Sequence, residues 1–438
     1  MNRHVRFFLP GLLILLLSAC QLLELGQEIV ATPTPEATAP LITPLEATPA
    51  LPNPTPPPVA AAPLKVWIPP EIGARTEAGS QALADLIHEY QVAHPTTEIV
   101  VEQKPMDGPG GLLSYLLTGR LVAPAIMPDL VAVPNTVLAD SRYRDMFFPL
   151  GGLMDAAFIE DIYPAPAGQV IASDQLYGYP FATTGLTHLI YDPTVITGTI
   201  PMSWTQLISD TAHTLVIPAD SREGAMLGLQ FYLAEGGTLV DESGRPALET
   251  EPLARALTTI AVNKPNLMQS HQLKTLDEVW QYHQLGLSDF MWTRAEYLQG
   301  QGELDPALLD ELGFSAVPGP SVALIPLTTS WAWAVTTAEP ARQARAAELI
   351  QFLTTPENLA DWSARSHVLP AQRAAMAQLA EQSRYYQFAA VESERARALP
   401  VSETSRLMDV LGNAVFQALT TEISPVLLAE EAAMALRQ

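Results

Sequence analysis

Between Ala31 and Pro63 the chain carries 11 prolines in 33 residues, set among threonines and alanines, as in Pro54-Thr55-Pro56-Pro57-Pro58. Proline fixes φ and lacks the N–H that helices and sheets need, so a run of this composition cannot build a packed core. It is expected to stand as an extended, semi-rigid spacer. At about 3 Å per residue, the segment from Gln21 to Pro63 would reach at most roughly 100 Å. Any globular fold therefore begins near Leu64, and the stretch from there to Gln438 suffices for two or three domains at about 150 residues each.

Ahead of the spacer, Arg3, His4 and Arg6 precede an apolar stretch from Phe7 to Leu17. It is too short to cross a bilayer as a permanent helix, but it has the length of an export-signal core. It ends in Leu17-Ser18-Ala19-Cys20, which resembles a bacterial lipobox, the signal whose cysteine is diacylated and becomes the new N-terminus. That resemblance implies a lipoprotein signal peptide over 1–19, then a lipid anchor and linker over 20–63, with the folded part at the outer face of the cell membrane. Cys20 is also the single cysteine of the chain. An intramolecular disulfide and a thiolate zinc cage are therefore excluded.

With 47 acidic against 23 basic side chains, the formal net charge of −24 opposes any phosphate backbone, and nucleic acid is excluded as a partner. The 48% hydrophobic fraction is that of an ordinary globular protein. Catalytic signatures are absent: there is no G-x-S-x-G, no P-loop and no G-x-G-x-x-G, and His88-Glu89 begins an H-E-x-x-H pattern in which position 92 is Val. The eight histidines show no ligand spacing, so no metal and no cofactor are expected. Glu235, Asp241 and Glu242 offer the carboxylates of a glycosidase pair. Their neighbours Gly236-Gly237 and Ser243-Gly244 favour a solvated turn instead, which makes an enzyme the weaker hypothesis.

Hydrophobic periodicity predicts an α/β protein. Leu64–Ile68 reads as a buried strand stopped by Pro69-Pro70. Ala82, Leu83, Leu86, Ile87 and Tyr90 recur at helical spacing between Ala78 and His94, and Ile99–Val101 reads as a second strand. Strand, helix and strand at this spacing argue for a parallel βαβ unit. A helix over Gly111–Leu121 and a strand over Asp129–Val133 continue the pattern. Farther on, Leu407, Val410, Leu411, Ala414, Val415, Ala418 and Leu419 form one apolar stripe, and a last helix should start with Ser424 as N-cap and Pro425 at its first position.

Several segments, in order, resemble the bacterial extracellular solute-binding proteins of family 1, the sugar-type receptors of ABC importers. They are Leu64-Lys65-Val66-Trp67 with its helix and His94-Pro95; Asp129-Leu130-Val131-Ala132-Val133; Leu176-Tyr177-Gly178-Tyr179-Pro180; Leu189-Ile190-Tyr191-Asp192; and Pro201-Met202-Ser203-Trp204-Thr205-Gln206-Leu207. Glu235-Gly236-Gly237-Thr238-Leu239-Val240-Asp241, Leu353-Thr354-Thr355-Pro356-Glu357-Asn358 with Trp362, and Leu369-Pro370 follow. The resemblance implies a two-lobed, periplasmic-binding-protein-like α/β fold with crossing hinge segments near Phe181–Leu186, Thr293-Arg294 and Val335-Thr336. It divides the chain into one lobe of 64–182 with 294–334 and another of 183–293 with 335–438. It also implies a monomer that closes on a sugar or oligosaccharide and hands it to an ABC permease. Rival readings are a surface sensor or adhesin and a carbohydrate-active enzyme on a similar scaffold.

By the same resemblance, Glu71 reaches the cleft after the first strand, although it equally suits capping of the next helix. Asn135 and Thr136 follow the strand Asp129–Val133, at its carboxyl end, whereas Asp129 itself suits the turn. Thr183 and Thr184 lie on the first crossing, where hydroxyls match sugar hydroxyls, with Thr184 the stronger candidate. Ser330-Trp331-Ala332-Trp333 alternates, so both rings face one way; Trp331 is assigned to stacking on a pyranose and Trp333 to the core. Trp362 is open between cleft wall and core. Arg294 stands where relatives carry small residues, and either points to an acidic sugar or pairs with Glu296 or another carboxylate.

Overall fold

The computed structural model describes residues 62–437, apart from 173, 210–212, 220–221, 263–266, 268–272, 274, 306 and 403–404. The expected signal peptide, Cys20 and most of the spacer lie outside these residues. In chain order the strands are β1 (Leu64–Ile68), β2 (Ile99–Gln103), β3 (Leu130–Pro134), β4 (Ile171–Ala172), β5 (Gln175–Leu176), β6 (Tyr179–Thr184), β7 (Thr187–Tyr191), β8 (Leu215–Val216), β9 (Phe290–Arg294), β10 (Gly313–Ser315), β11 (Leu327–Val335), β12 (Leu369–Pro370) and β13 (Arg397–Ala398).

Two main sheets result. The first runs β12-β6-β11-β3-β1-β2, with β13 paired to the start of β11, and the second runs β10-β7-β9-β8. β1 is parallel to both β2 and β3, as the strand-helix-strand pattern predicted. The helix joining β1 to β2, Glu77–Ala93, starts where the Thr76 hydroxyl accepts the N–H of Gly79 at 2.8 Å. It buries Ala82, Leu83, Ile87 and Tyr90 against the sheet. β11 runs antiparallel between β3 and β6. In its pairing with β6, Trp331 opposes Ala182 and Ala332 opposes Pro180, so Phe181 is the extra residue of a bulge.

The apolar side chains divide into two cores. Sheet one and the helices Glu77–Ala93, Pro340–Leu353, Pro356–Arg365 and Arg373–Ala380 build the first. The helices Arg222–Ala234, Thr250–Val262, Arg406–Thr420 and Pro425–Ala435 build the second on one face of sheet two. Alternation along β7 and β9 sends Leu189, Phe290 and Trp292 to the second core and Ile190 and Met291 to the first. Helices Arg222–Ala234 and Arg406–Thr420 approach closely at Gly228, where any Cβ would come within 2.5 Å of Val415. The apolar stripe read from Leu407 to Leu419 is the face that enters this contact. The final helix, Pro425–Ala435, has Ser424 at its N-cap.

The chain first changes lobe at Gly185-Leu186, between β6 in sheet one and β7 in sheet two. The expected crossing at Thr293-Arg294 is corrected: these residues end β9 within sheet two, and the chain returns only between β10 and β11. A division at Val335-Thr336 is likewise not where the packing divides. Helices from Pro340 to Arg395 stay with the first core, because Ala346, Ile350, Leu359 and Tyr385 bury their side chains there. The last change of core falls between β13 and the helix Arg406–Thr420.

At the amino ends of β1 and β3, Asp129 is almost fully buried. Its carboxylate accepts the N–H of Lys65 at 2.8 Å and forms a two-point ion pair with Arg342, whose Nε lies 2.6 Å from Oδ1. Arg342 also donates to the carbonyl oxygen of Pro63 at 2.8 Å. Asp129 is thus an ion-pair residue rather than a turn residue, and it fastens the point where the chain enters the fold.

Candidate functional site

Ligands of α/β sheets sit beyond the carboxyl ends of the strands, and the loops of both lobes meet there in a cavity of about 350 Å³. Two larger hollows, of about 710 and 730 Å³, each belong to one lobe. The first surrounds the Asp129–Arg342 pair and the second the C-terminal helices. Of the three, only the interlobe cavity joins strand ends of sheet one to the first crossing and to the start of the helix Arg222–Ala234.

Five of the residues expected in the cleft line this cavity: Glu71, Thr136, Thr184, Arg294 and Trp331. Glu71 is exposed in the first turn of a short helix, Pro70–Gly73, that follows β1. It caps nothing, since Pro69 occupies that helix's N-cap position without a side-chain bond and Thr76 caps the next helix. Trp331 is 8% exposed and lies in the middle of β11, opposite Ala182 of β6 and opposite Pro134, where the pairing with β3 ends. Thr184 donates a long hydrogen bond, 3.4 Å, to the carbonyl of Thr329.

Three expected residues lie elsewhere. Asn135 is fully buried, and its Nδ2 donates to the carbonyl of Pro166 at 3.0 Å, so it secures the helix after β3 from within. Thr183 alternates to the side opposite Thr184 and is buried between Ser330 and Leu369. Trp362 is core: it is 4% exposed, and its ring centroid lies 5.4 Å from that of Phe181. Trp333 is core as expected, stacked on the same Phe181 at 4.8 Å. Asp241 is a turn residue, its Oδ1 accepting from Ser243 N–H and Oγ at 2.8 and 2.6 Å, while Glu235 pairs with Arg255 at 2.7 Å.

Arg294 ends β9 and is 8% exposed. It faces Glu296 at 3.1 Å and Glu223 of the second lobe at 3.6 Å. Glu296 in turn accepts the N–H of Gly185 at 3.0 and 3.2 Å. Gly185 has φ of 83°, a conformation that favours glycine, so the turn between β6 and β7 depends on it. Burial by itself would raise the Glu296 carboxyl. Arg294, backbone N–H groups including that of Gly185, and Arg75 together outweigh burial and hold it below the ordinary carboxylate range. Of Arg294's two readings, pairing is the one the geometry shows.

Arg75, Arg222, Thr329 and Ser402 also line the cavity, and sequence reasoning missed them. Arg75 follows the short helix after β1. Arg222 and Ser402 come from segments that only the crossings between lobes bring to this point. Among the described residues no cluster of His, Cys, Asp and Glu can hold a metal, and no helix is long and apolar enough to cross a membrane.

A profile described as bacterial extracellular solute-binding protein matches residues 86–390. No curated protein sequence matches the chain. Among solved structures, the sugar-binding protein MalE from the phytopathogen Xanthomonas citri is similar with a TM-score of 0.68 at 18% identity, over 86% of this chain and 97% of that one. The cyclic alpha-maltosyl-1,6-maltose binding protein from Arthrobacter globiformis gives a TM-score of 0.63 at 16% identity, over 85% and 97%. Maltose-bound MalE3 of T. maritima gives 0.61 at 14% identity, over 86% and 99%. The architecture is the two-lobed α/β fold of these binding proteins.

Proposed function

Because this chain belongs to the bacterial extracellular solute-binding proteins, a family of binding proteins rather than enzymes, we propose that it captures a carbohydrate in its interlobe cleft and delivers it to an ABC importer. The observation that carries this reading is Trp331, an indole at the wall of the interlobe cavity beside Thr136 and Thr184. An aromatic face covers the apolar face of a sugar ring, and neighbouring hydroxyls and charged groups satisfy its hydroxyls. Glu71, Thr136, Thr184, Arg294 and Trp331 are the proposed binding set. Asn135, Thr183 and Trp362 act as its support from within.

The reading extends to the cell surface. Cys20 carries the lipid anchor, the proline-rich segment holds the receptor off the membrane, and the tether keeps it at high effective concentration near its permease. Cys20→Ser should release the protein from membranes or leave it as unprocessed precursor; retention with normal processing would refute the anchor.

A thermal-shift screen of mono- and oligosaccharides tests the binding role directly. A ligand present at a hundred times its Kd adds about 2.7 kcal/mol of stability. Trp331→Ala should abolish that shift for the ligand found. A hit whose shift survives Trp331→Ala would move the site away from this cavity.

A further inference from the structure

The cleft reverses the charge balance of the chain. Against 23 basic and 47 acidic side chains overall, its described lining holds three arginines and two glutamates. Arg294 faces Glu296 and Glu223 at 3.1 and 3.6 Å. Arg75 donates its Nε to the carbonyl of Ser366 at 3.3 Å and shares the first-lobe side of the cavity with Glu71. Arg222 differs from both. It is exposed at the start of the second-lobe helix Arg222–Ala234 and has no ion pair or hydrogen bond among the described residues.

Resting on the carbohydrate reading above, we infer that the solute carries an acidic group on a sugar ring, a carboxylate or a sulfate, and that Arg222 reads that group. The physical reason is closure. A solvated guanidinium costs nothing while the lobes are apart, but closing them withdraws it from water, and an uncompensated charge in that position is strongly unfavourable. Glu296 and Glu223 both face Arg294, and among the described residues neither of them nor Glu71 pairs with Arg222, which leaves its guanidinium for the ligand. A neutral sugar would strand it. An acidic sugar would satisfy it through the guanidinium fork, which matches carboxylate and sulfate oxygens two at a time.

The test is calorimetric titration of the full chain with trigalacturonate, a sulfated galactose trisaccharide and maltotriose. One of the acidic sugars should bind at least about tenfold tighter than maltotriose, and its affinity should fall as salt rises. Whichever acidic sugar wins assigns the group as carboxylate or sulfate. Arg222→Gln should erase most of that preference without lowering the melting temperature, since the side chain is exposed, and Arg222→Lys should retain only part of it. Maltotriose binding as tightly as both acidic sugars would overturn the inference while leaving the carbohydrate reading intact. In that case the protein itself supplies the countercharge. Failure of all three sugars to bind would bring down the carbohydrate reading, and this inference with it.

Discussion

The two ends of the larger sheet treat charge in opposite ways. At the amino ends of β1 and β3, Asp129 and Arg342 are matched in number and aligned at two points, with the carboxylate almost fully buried and the arginine half-buried. At the carboxyl ends, Glu71, Arg75 and Arg222 stay exposed around a cavity that both lobes share. One end has its charges settled within the fold. The other keeps them exposed around a cavity that both lobes line. Stability and recognition are thus separated along the length of the same strands.

Replacing Trp333, which lies between the two ends, should have the largest effect. Trp333→Ala should lower stability by about 3–5 kcal/mol, as deletion of a buried large aromatic does, because it removes the partner of Phe181 at the bulge. Chemical denaturation measures it; a loss no larger than that of Trp331→Ala would dissolve the distinction between core and cleft tryptophans. Asp129→Asn should come next, at about 3 kcal/mol, because it leaves Arg342 without its countercharge. Ligand affinity should be unchanged in this variant, and a parallel fall in affinity would show that the two ends are coupled.

The region between the lobes has its own signature in pH. His188 on β7 is fully buried beside Tyr385 and Phe388, with ring centroids at 5.5 Å from each, and burial lowers its pKa from 6.5 to about 4. As pH falls below 6.5 the unfolded chain therefore takes up the proton first. Stability should decline from pH 6.5 to about 4, and below that this group adds no further slope. Glu296, held below its ordinary 4.5, acts in a lower window: its contribution is present above that value and is lost as pH falls through the depressed one. Urea midpoints measured across pH 4–6.5 should flatten in His188→Phe. A residual slope is assigned to His283, which burial shifts in the same direction.

The smallest expected effect sharpens the cleft end. Thr184→Val keeps the β-branched shape and removes only the hydroxyl, so affinity should fall by about 0.5–1.5 kcal/mol with little change in melting temperature. An unchanged affinity in calorimetry would reduce Thr184 to a strand residue.

What could be read from the sequence follows the range of the forces involved. The βαβ start and the helix Arg406–Thr420 were legible because their apolar periods are local and uninterrupted. Thr184 and Trp331 were assigned to the cleft by the resemblance, and both line the cavity, Thr184 at the end of β6 and Trp331 in the middle of β11. Asn135 misled for a reason of direction: it stands at the end of β3, but its amide turns inward to the carbonyl of Pro166, a partner 31 residues away. Arg222 gave no signal at all, since nothing near it in the chain marks the crossing that carries its helix to the cavity. The boundary at Val335 failed similarly, because helices from Pro340 to Arg395 pack by shape onto the first core.

The grip of Arg342 on the carbonyl of Pro63 has a mechanical consequence. Were the chain ahead of Ala62 held at its far end, a pull along it would reach Arg342 and Asp129 before it reached the ladder of β1. The load passes into the helix Pro340–Leu353 and the amide of Lys65 together, so it is divided between two elements distant in sequence. Such a pull would be spread sideways through the lobe like a knot bearing on a washer, and less of it would reach the strands that shape the far rim.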